Sequence, residues 1–486
     1  MLFSFITILT GFIGLTLMTR LLSPFEYGEW NFINGLFIYS LSMIPIVSYW
    51  LKREIARDSE SARTGIFFSG ILSIVGASIY LLVSFVFDTA TDSNFETLIF
   101  ASILIPMLFI FEIFRAISIG RKPEFATYAN VMVSSFLMIF IIFFVYFFQF
   151  GIFGVIFASF FAYLITIIIL TIYFRDILKH EIQTLFVKKW IKLSWVPLYP
   201  VAISIIHRSD VIIFTLFTAT VVGLAYWTVA LSLTILIQHS SRISQAAYPK
   251  LLQNKDSSFL KNNITHLLFF AIPATALTIT FAREGLFALN PIYESIYYVV
   301  ILLSLQIFFR IISGVFENFI IGNETVDLNN NVKTKDYLKS KLFLVPTIRL
   351  GRNSIFLIIF TIGLYFQTLN EFELIDLLYF WASLGLIIQI PYTIILFGLV
   401  KKYLSIKFDF SAIVKYVLTS LFVFIFIHFL IDEFVVYTES LFDFIPQLIP
   451  LPLLGLGLYA IILYFTDSSS KKLITSVINE FKNYIK

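Results

Sequence analysis

The sequence predicts an all-α integral membrane protein with about fourteen transmembrane helices, arranged as two six-helix lobes around a central cavity plus two C-terminal helices. Three observations carry that expectation. Of the 486 residues, 59% are hydrophobic and 58 are Phe, with only 13% charged, where a soluble domain carries about 25% charge. Mean hydropathy is +0.92. The apolar residues fall into runs of membrane-spanning length, and the basic residues fall between those runs in a strict alternation.

A bilayer core of about 30 Å needs about 20 apolar residues per helix. Such runs lie near 1–22, 31–51, 64–87, 97–118, 127–148 and 152–174, then near 196–217, 220–241, 264–283, 294–320, 344–366, 374–399, 412–431 and 444–466. The hairpins near Gln149 and Ala219 are the tightest. With the N-terminus inside, the inside loops carry 27 Lys and Arg: four in 52–63, three in 115–122, five in 175–192, four in 242–261, four in 333–341, three in 401–407 and four after 467. The outside loops carry two, Arg20 and Arg283, and hold acids such as Asp88, Asp92, Glu96, Glu371, Asp432 and Glu433. This bias predicts a multi-pass cell-membrane protein with both termini cytoplasmic.

A weak internal repeat suggests the lobes. Residues 20–32 (RLLSPFEYGEWNF) and 215–227 (TLFTATVVGLAYW) both leave a span, turn, pass a glycine and re-enter through aromatics, with Gly28 and Gly223 equivalent. That spacing covers six helices. It predicts an N-lobe at 1–180, a C-lobe at 181–402, and helices thirteen and fourteen with a cytoplasmic tail at 403–486.

Composition also excludes functions. A net charge of +4 is too small for nucleic-acid binding, and the absence of Cys removes disulfides, thiolate catalysis and Cys-ligated metals. No cofactor is expected. The chain enters an apolar helix at Leu2 without a basic leader, so no cleavable signal peptide is expected. Loops are too short for a soluble catalytic domain, and no HExxH, DxD or paired-carboxylate pattern stands out; the protein is not expected to be an enzyme.

The candidate site residues are charges where charge is costly. Arg208 lies roughly 18 Å into the seventh span at 1.5 Å per residue, where arginine costs roughly 2.5–3.5 kcal/mol on insertion scales. Ser204, Arg208 and Thr215 share one stripe, and His207 and Asp210 form an i, i+3 pair beside it. Gln306, Arg310, Ser313 and Glu317 line one face of the tenth span, Arg349 and Arg352 share a face of the eleventh, and Arg20 ends the first. Ion pairs are the structural alternative: Arg310 with Glu317, Arg208 with Asp210, and Arg349 and Arg352 reaching headgroups. The functional reading is a cationic cavity at membrane depth. Arg20, Arg208, Arg310, Arg349 and Arg352 would bind an anion, since guanidinium stays charged and binds phosphate in a bidentate fork. His207, Asp210, Gln306 and Glu317 would couple or pair.

The stretch TRLLSPFEYGEWNF at 19–32 resembles the T-R-x-L-x-P-x-x-Y-G signature of polysaccharide flippases. GRKPEFATYANV at 120–131 and the Arg-x-Asp at 208–210 resemble the same group. These are Wzx-type members of the multidrug/oligosaccharidyl-lipid/polysaccharide exporter superfamily. The resemblance implies two six-helix lobes around a cavity and a polyprenyl-linked oligosaccharide substrate, with Arg20, Arg208 and Arg310 meeting its pyrophosphate. It also implies membrane lipids and glycan assembly enzymes as partners. The short start before the first helix departs from the family. A multidrug–cation antiporter of the same fold is the alternative function. It calls for an acidic cavity, and the only candidate acids, Glu112, Asp210 and Glu317, each have a basic residue nearby. A membrane glycosyltransferase or ligase is a third.

Overall fold

The turn after the first helix shows how sequence becomes structure. Helix Leu2–Leu21 gives way to helix Pro24–Leu41 through a complete capping box. Ser23 Oγ accepts from the Glu26 amide at 3.2 Å, and Glu26 Oε2 accepts from the Ser23 amide at 2.9 Å. Two otherwise orphaned amide donors are thereby satisfied, and Pro24 presets the first helical φ. The motif SPFE is thus a helix start written in four residues. The second span then bends by 64° between Leu41 and Ile44, where Pro45 at the new helix start cannot continue the hydrogen-bond ladder.

The computed structural model describes residues 2–88, 90–245, 257–322, 339–404 and 410–485, and these residues form helices and turns with no strand. Eleven segments are long and apolar enough to cross a membrane, and the bent pair Pro24–Leu41 with Ile44–Ile55 makes a twelfth. The two remaining expected spans, 1–22 and 220–241, coincide with helix Leu2–Leu21 and with the broken pair Val222–Leu233 and Ile235–Gln245. The break falls at Thr234, whose hydroxyl donates to the Leu231 carbonyl at 2.6 Å. Fourteen spans therefore stands as an expectation beside eleven to twelve among the described residues. Parts of three expected inside loops, 246–256, 323–338 and 405–409, lie outside those residues. The protein is a multi-pass membrane protein. Rows of exposed aliphatic and aromatic side chains, such as Ile74, Leu82 and Phe85 on helix Ala62–Asp88 and Phe422 on helix Phe410–Phe434, are the lipid-facing surface such helices need.

Packing divides the chain into two compact units. Unit 1 holds the residues up to Tyr226 together with Leu357–Leu374, and unit 2 holds Trp227–Phe356 and Ile375 onward. Boundaries at 180 and 402, read from the order of the spans, remain a proposal.

In unit 1 the core joins Val47, Leu51, Phe111, Phe114 and Leu170 to Trp190. Trp190 belongs to helix Thr184–Lys192, an amphipathic segment that hydropathy could not identify as a span. Its indole donates to Glu54 Oε2 at 3.1 Å while Lys189 reaches Glu54 Oε1 at 2.8 Å. One buried carboxylate thus anchors the helix beneath the bundle. Both tight hairpins use a non-glycine residue in the left-handed region, Gln149 at φ 55° and Ala219 at φ 52°. Asp92 braces the second. Its carboxylate accepts from the Val221 amide at 2.9 Å and the Thr220 hydroxyl at 2.7 Å, and its own amide donates to the Ala219 carbonyl at 3.1 Å. Asp92 is exposed but clamps a strained turn, a partner 127 residues away in sequence that no local pattern announces.

In unit 2, helix Ser257–Thr280 packs against helices Phe410–Phe434 and Pro450–Thr466. Phe269 meets the rings of Tyr416 and Tyr459, and Tyr459 donates to the Phe269 carbonyl at 3.0 Å. The last two spans are therefore built into this unit's core. The chain ends in amphipathic helix Ser468–Ile485, capped by Asp467, whose Oδ2 accepts from the Ser470 amide at 2.8 Å.

Candidate functional site

Three membrane helices, Tyr297–Gly322, Lys341–Leu369 and Leu374–Leu404, pool polar residues that all fall in unit 2. An unsatisfied polar atom in lipid costs several kcal/mol, so residues of this kind on separate helices must find one another. Glu317 is 7% exposed. One of its oxygens takes the Arg349 guanidinium and the other accepts the Tyr392 hydroxyl at 2.6 Å. Arg352 donates to Gln389 Oε1 at 2.8 Å and to Asn353 Oδ1 at 2.7 Å, and lies 4.8 Å over the Tyr392 ring. Gln389 in turn donates to Ser313 Oγ at 2.9 Å, and Ser313 shares a 2.8 Å hydrogen bond with Thr393.

The charge count of this network is uneven. Two guanidinium groups, Arg349 and Arg352, face one carboxylate, Glu317. Among the described residues Arg352 meets only neutral hydrogen-bond acceptors and an aromatic face. The Arg349 side chain is 41% exposed. Chemically the cluster can hold an anion; it offers no nucleophile–base pair.

The sequence singled out Ser313, Glu317, Arg349 and Arg352, and the structure brings them together. It pairs Glu317 with Arg349, 32 residues away, where the structural alternative had named Arg310. Gln306 packs its amide onto Gly385, where a Cβ would stand 2.5 Å from Nε2. Arg310 is half-buried on the same helix as Gln306. Asn353, Gln389, Tyr392 and Thr393 went unnoticed in the sequence. Gln389, Tyr392 and Thr393 stand at i, i+3 and i+4 beside Pro391, and that polar spacing in an apolar span was the available signal.

In unit 1, Arg208 is exposed on helix Trp195–Thr218. It forms no ion pair among the described residues, and the Asp210 carboxylate accepts the Val211 amide at 2.9 Å. The Arg208–Asp210 pair of the structural alternative is thus not formed. His207 and Arg20 are half-buried. Ser209, between Arg208 and Asp210, bonds Tyr39 at 3.1 Å, which ties this helix to the second span. Glu112 pairs with Arg115 on its own helix at 2.5 Å. No group of three or more metal-ligating side chains occurs among the described residues.

No protein-family model matches the chain, and no curated protein does. Solved structures do. A lipid II flippase, MurJ, in an inward closed conformation matches with a TM-score of 0.61 at 16% identity, over 96% of this chain and 99% of that one. An inward-facing multidrug resistance MATE family transporter of the MOP superfamily matches with a TM-score of 0.58 at 15% identity, over 82% of this chain and 95% of that one. A MATE in complex with MaL6 matches with a TM-score of 0.51 at 13% identity, again over 82% and 95%. The chain has the fold of these MOP superfamily transporters and flippases.

Proposed function

We propose that the protein is a flippase that moves polyprenyl-pyrophosphate-linked oligosaccharides across the cell membrane by alternating access, in the biosynthesis of a surface polysaccharide. The observation that carries this reading is the positive surplus at Arg349 and Arg352. A pyrophosphate offers paired oxygens to guanidinium forks, and water-poor surroundings strengthen that attraction. Arg20, Arg208 and Arg310 are proposed as further phosphate ligands. The fold match over nearly the whole chain to a lipid II flippase is in keeping with a lipid-linked cargo. The equally clear fold match to a multidrug transporter keeps a second reading, a multidrug–cation antiporter. Against it, Glu112 and Glu317 are already engaged by arginines.

The test is binding by the purified protein of a polyprenyl-pyrophosphate sugar and of its uncharged lipid analogue. The charged lipid should bind more tightly, Arg352→Gln should remove most of that preference, and cationic dyes should not compete. Equal affinity for the two lipids, or competition by the dyes, would sink the flippase reading.

A further inference from the structure

Unit 2 carries a second chemically distinct feature, a cavity of about 1370 Å³ lined by other residues than the arginine network, although the two share helix Tyr297–Gly322. It exceeds the roughly 300–1,000 Å³ of a drug-sized ligand pocket. Its floor is apolar, built from residues such as Ile279, Ile301, Phe308, Leu421 and Phe424 on the membrane-spanning segments Asn262–Thr280, Pro291–Gly322 and Phe410–Phe434. Its rim is charged in both signs. Arg283 Nε lies 2.5 Å from Glu294 Oε1, and the guanidinium sits 5.3 Å over the Tyr437 ring. Tyr437 donates to Glu284 Oε1 at 2.7 Å. His428 stands 4.0 Å from Asp432.

This rim has more acceptors than donors. Glu284, Glu294 and Asp432 face one permanent cation, Arg283. Glu284 is 4% exposed, and its second oxygen has no hydrogen-bond partner among the described residues. A buried carboxylate oxygen left unmatched is costly, and an ammonium group would supply the missing donor. Arg283, whose side chain is 56% exposed, can meet a phosphate at the same time. We propose that this cavity binds a membrane phospholipid with a zwitterionic ammonium–phosphate headgroup, acyl chains on the apolar floor and headgroup among Arg283, Glu284, Glu294 and Asp432. The occupant comes from the bilayer because the walls are membrane-spanning helices. A primary ammonium fits better than a quaternary one, since only the former donates hydrogen bonds to the carboxylates.

The experiment is native mass spectrometry of the whole protein with phosphatidylethanolamine, phosphatidylcholine and phosphatidylglycerol of identical chains. Phosphatidylethanolamine should be retained about tenfold over the other two, the equivalent of one charge-assisted hydrogen bond. Glu294→Gln combined with Asp432→Asn should abolish that preference while leaving total lipid retention nearly unchanged. Leu421→Trp, at an exposed position on the floor, should fill the cavity and lower retention of all three lipids without lowering the melting temperature. Equal retention of the three lipids, a preference for phosphatidylglycerol, or full retention by a folded Leu421→Trp protein would each overturn the assignment. The outcome is independent of whether the arginine network binds pyrophosphate.

Discussion

Gly28 lies against the backbone of Val221: a Cβ at Gly28 would stand 2.2 Å from the Val221 carbonyl oxygen. Real side chains do not approach backbone so closely, and backbone cannot rotate away as a side-chain tip can. The glycine of the 19–32 motif is therefore a contact residue. Gly28→Ala should destabilise the protein by roughly 1–3 kcal/mol, the usual range for overpacking, read as a lower melting temperature in detergent. Ala219→Gly, one turn away, should do the reverse. It relieves the left-handed φ of 52°, worth about 1 kcal/mol. A Gly28→Ala protein as stable as the parent would refute the close approach.

The Glu317 network makes a directional prediction about ligand affinity. Glu317→Gln removes the one carboxylate facing Arg349 and Arg352. It should tighten binding of a pyrophosphate lipid, whereas Arg349→Ala should weaken it, and added salt should reduce both effects because Arg349 is partly solvated. Tyr392→Phe deletes the hydroxyl that donates to Glu317 and should cost about 1.5–3 kcal/mol, the range for hydrogen bonds to charged groups. Weaker binding by Glu317→Gln at unchanged stability would make the carboxylate a ligand contact instead.

Glu284 supplies a pH signature. Burial lifts its carboxyl above the ordinary glutamate range, against the opposing effects of the Tyr437 hydrogen bond and of nearby His428 and Arg283. A raised native-state value means the folded protein holds a proton that the unfolded chain has lost. The stability linked to that proton is present at acid pH and fades as pH rises through the raised value. Melting temperature should therefore fall over that window in the parent. The fall should be shallower in Glu284→Gln, and identical slopes would exclude Glu284 as its source.

Asp467 has the opposite sign. Burial alone would raise its carboxyl, but hydrogen bonds from Ser470 and the charge of Lys415 outweigh that and hold it below the usual aspartate range. The stability it contributes is present above the ordinary aspartate value and is lost as pH falls through the lowered one. Asp467→Ala should remove the cap of helix Ser468–Ile485 at a cost of about 1 kcal/mol. Protease cleavage within that helix should rise first, and an unchanged cleavage rate would contradict the capping role.

Orientation in the membrane is testable because the chain contains no Cys. A cysteine replacing Lys188, in the basic segment before the seventh span, should stay unlabelled by an impermeant thiol reagent in intact cells. One replacing the exposed Phe442 should label. The reverse pattern would invert the topology.

Much of this protein was legible without coordinates, because hydropathy and charge act one residue at a time. A run of 20 apolar residues is a membrane helix wherever its neighbours lie, and the Lys and Arg between such runs give an expected orientation because translocating them is costly. The capping box Ser23–Glu26 is equally local, as is the polar stripe Ser313–Glu317. What only the tertiary structure decided is which faces meet. Glu317 chose Arg349 over Arg310 because the polar stretches of three helices turn toward one another within unit 2. Asp92 clamps the turn at Thr220 and Val221 because two distant hairpins are adjacent in space. Trp190 reads as an ordinary loop residue until Glu54 and the unit 1 core bury it. Periodicity says which side of a helix is polar. The partner of that side depends on contacts between segments far apart in sequence, and no local pattern encodes them.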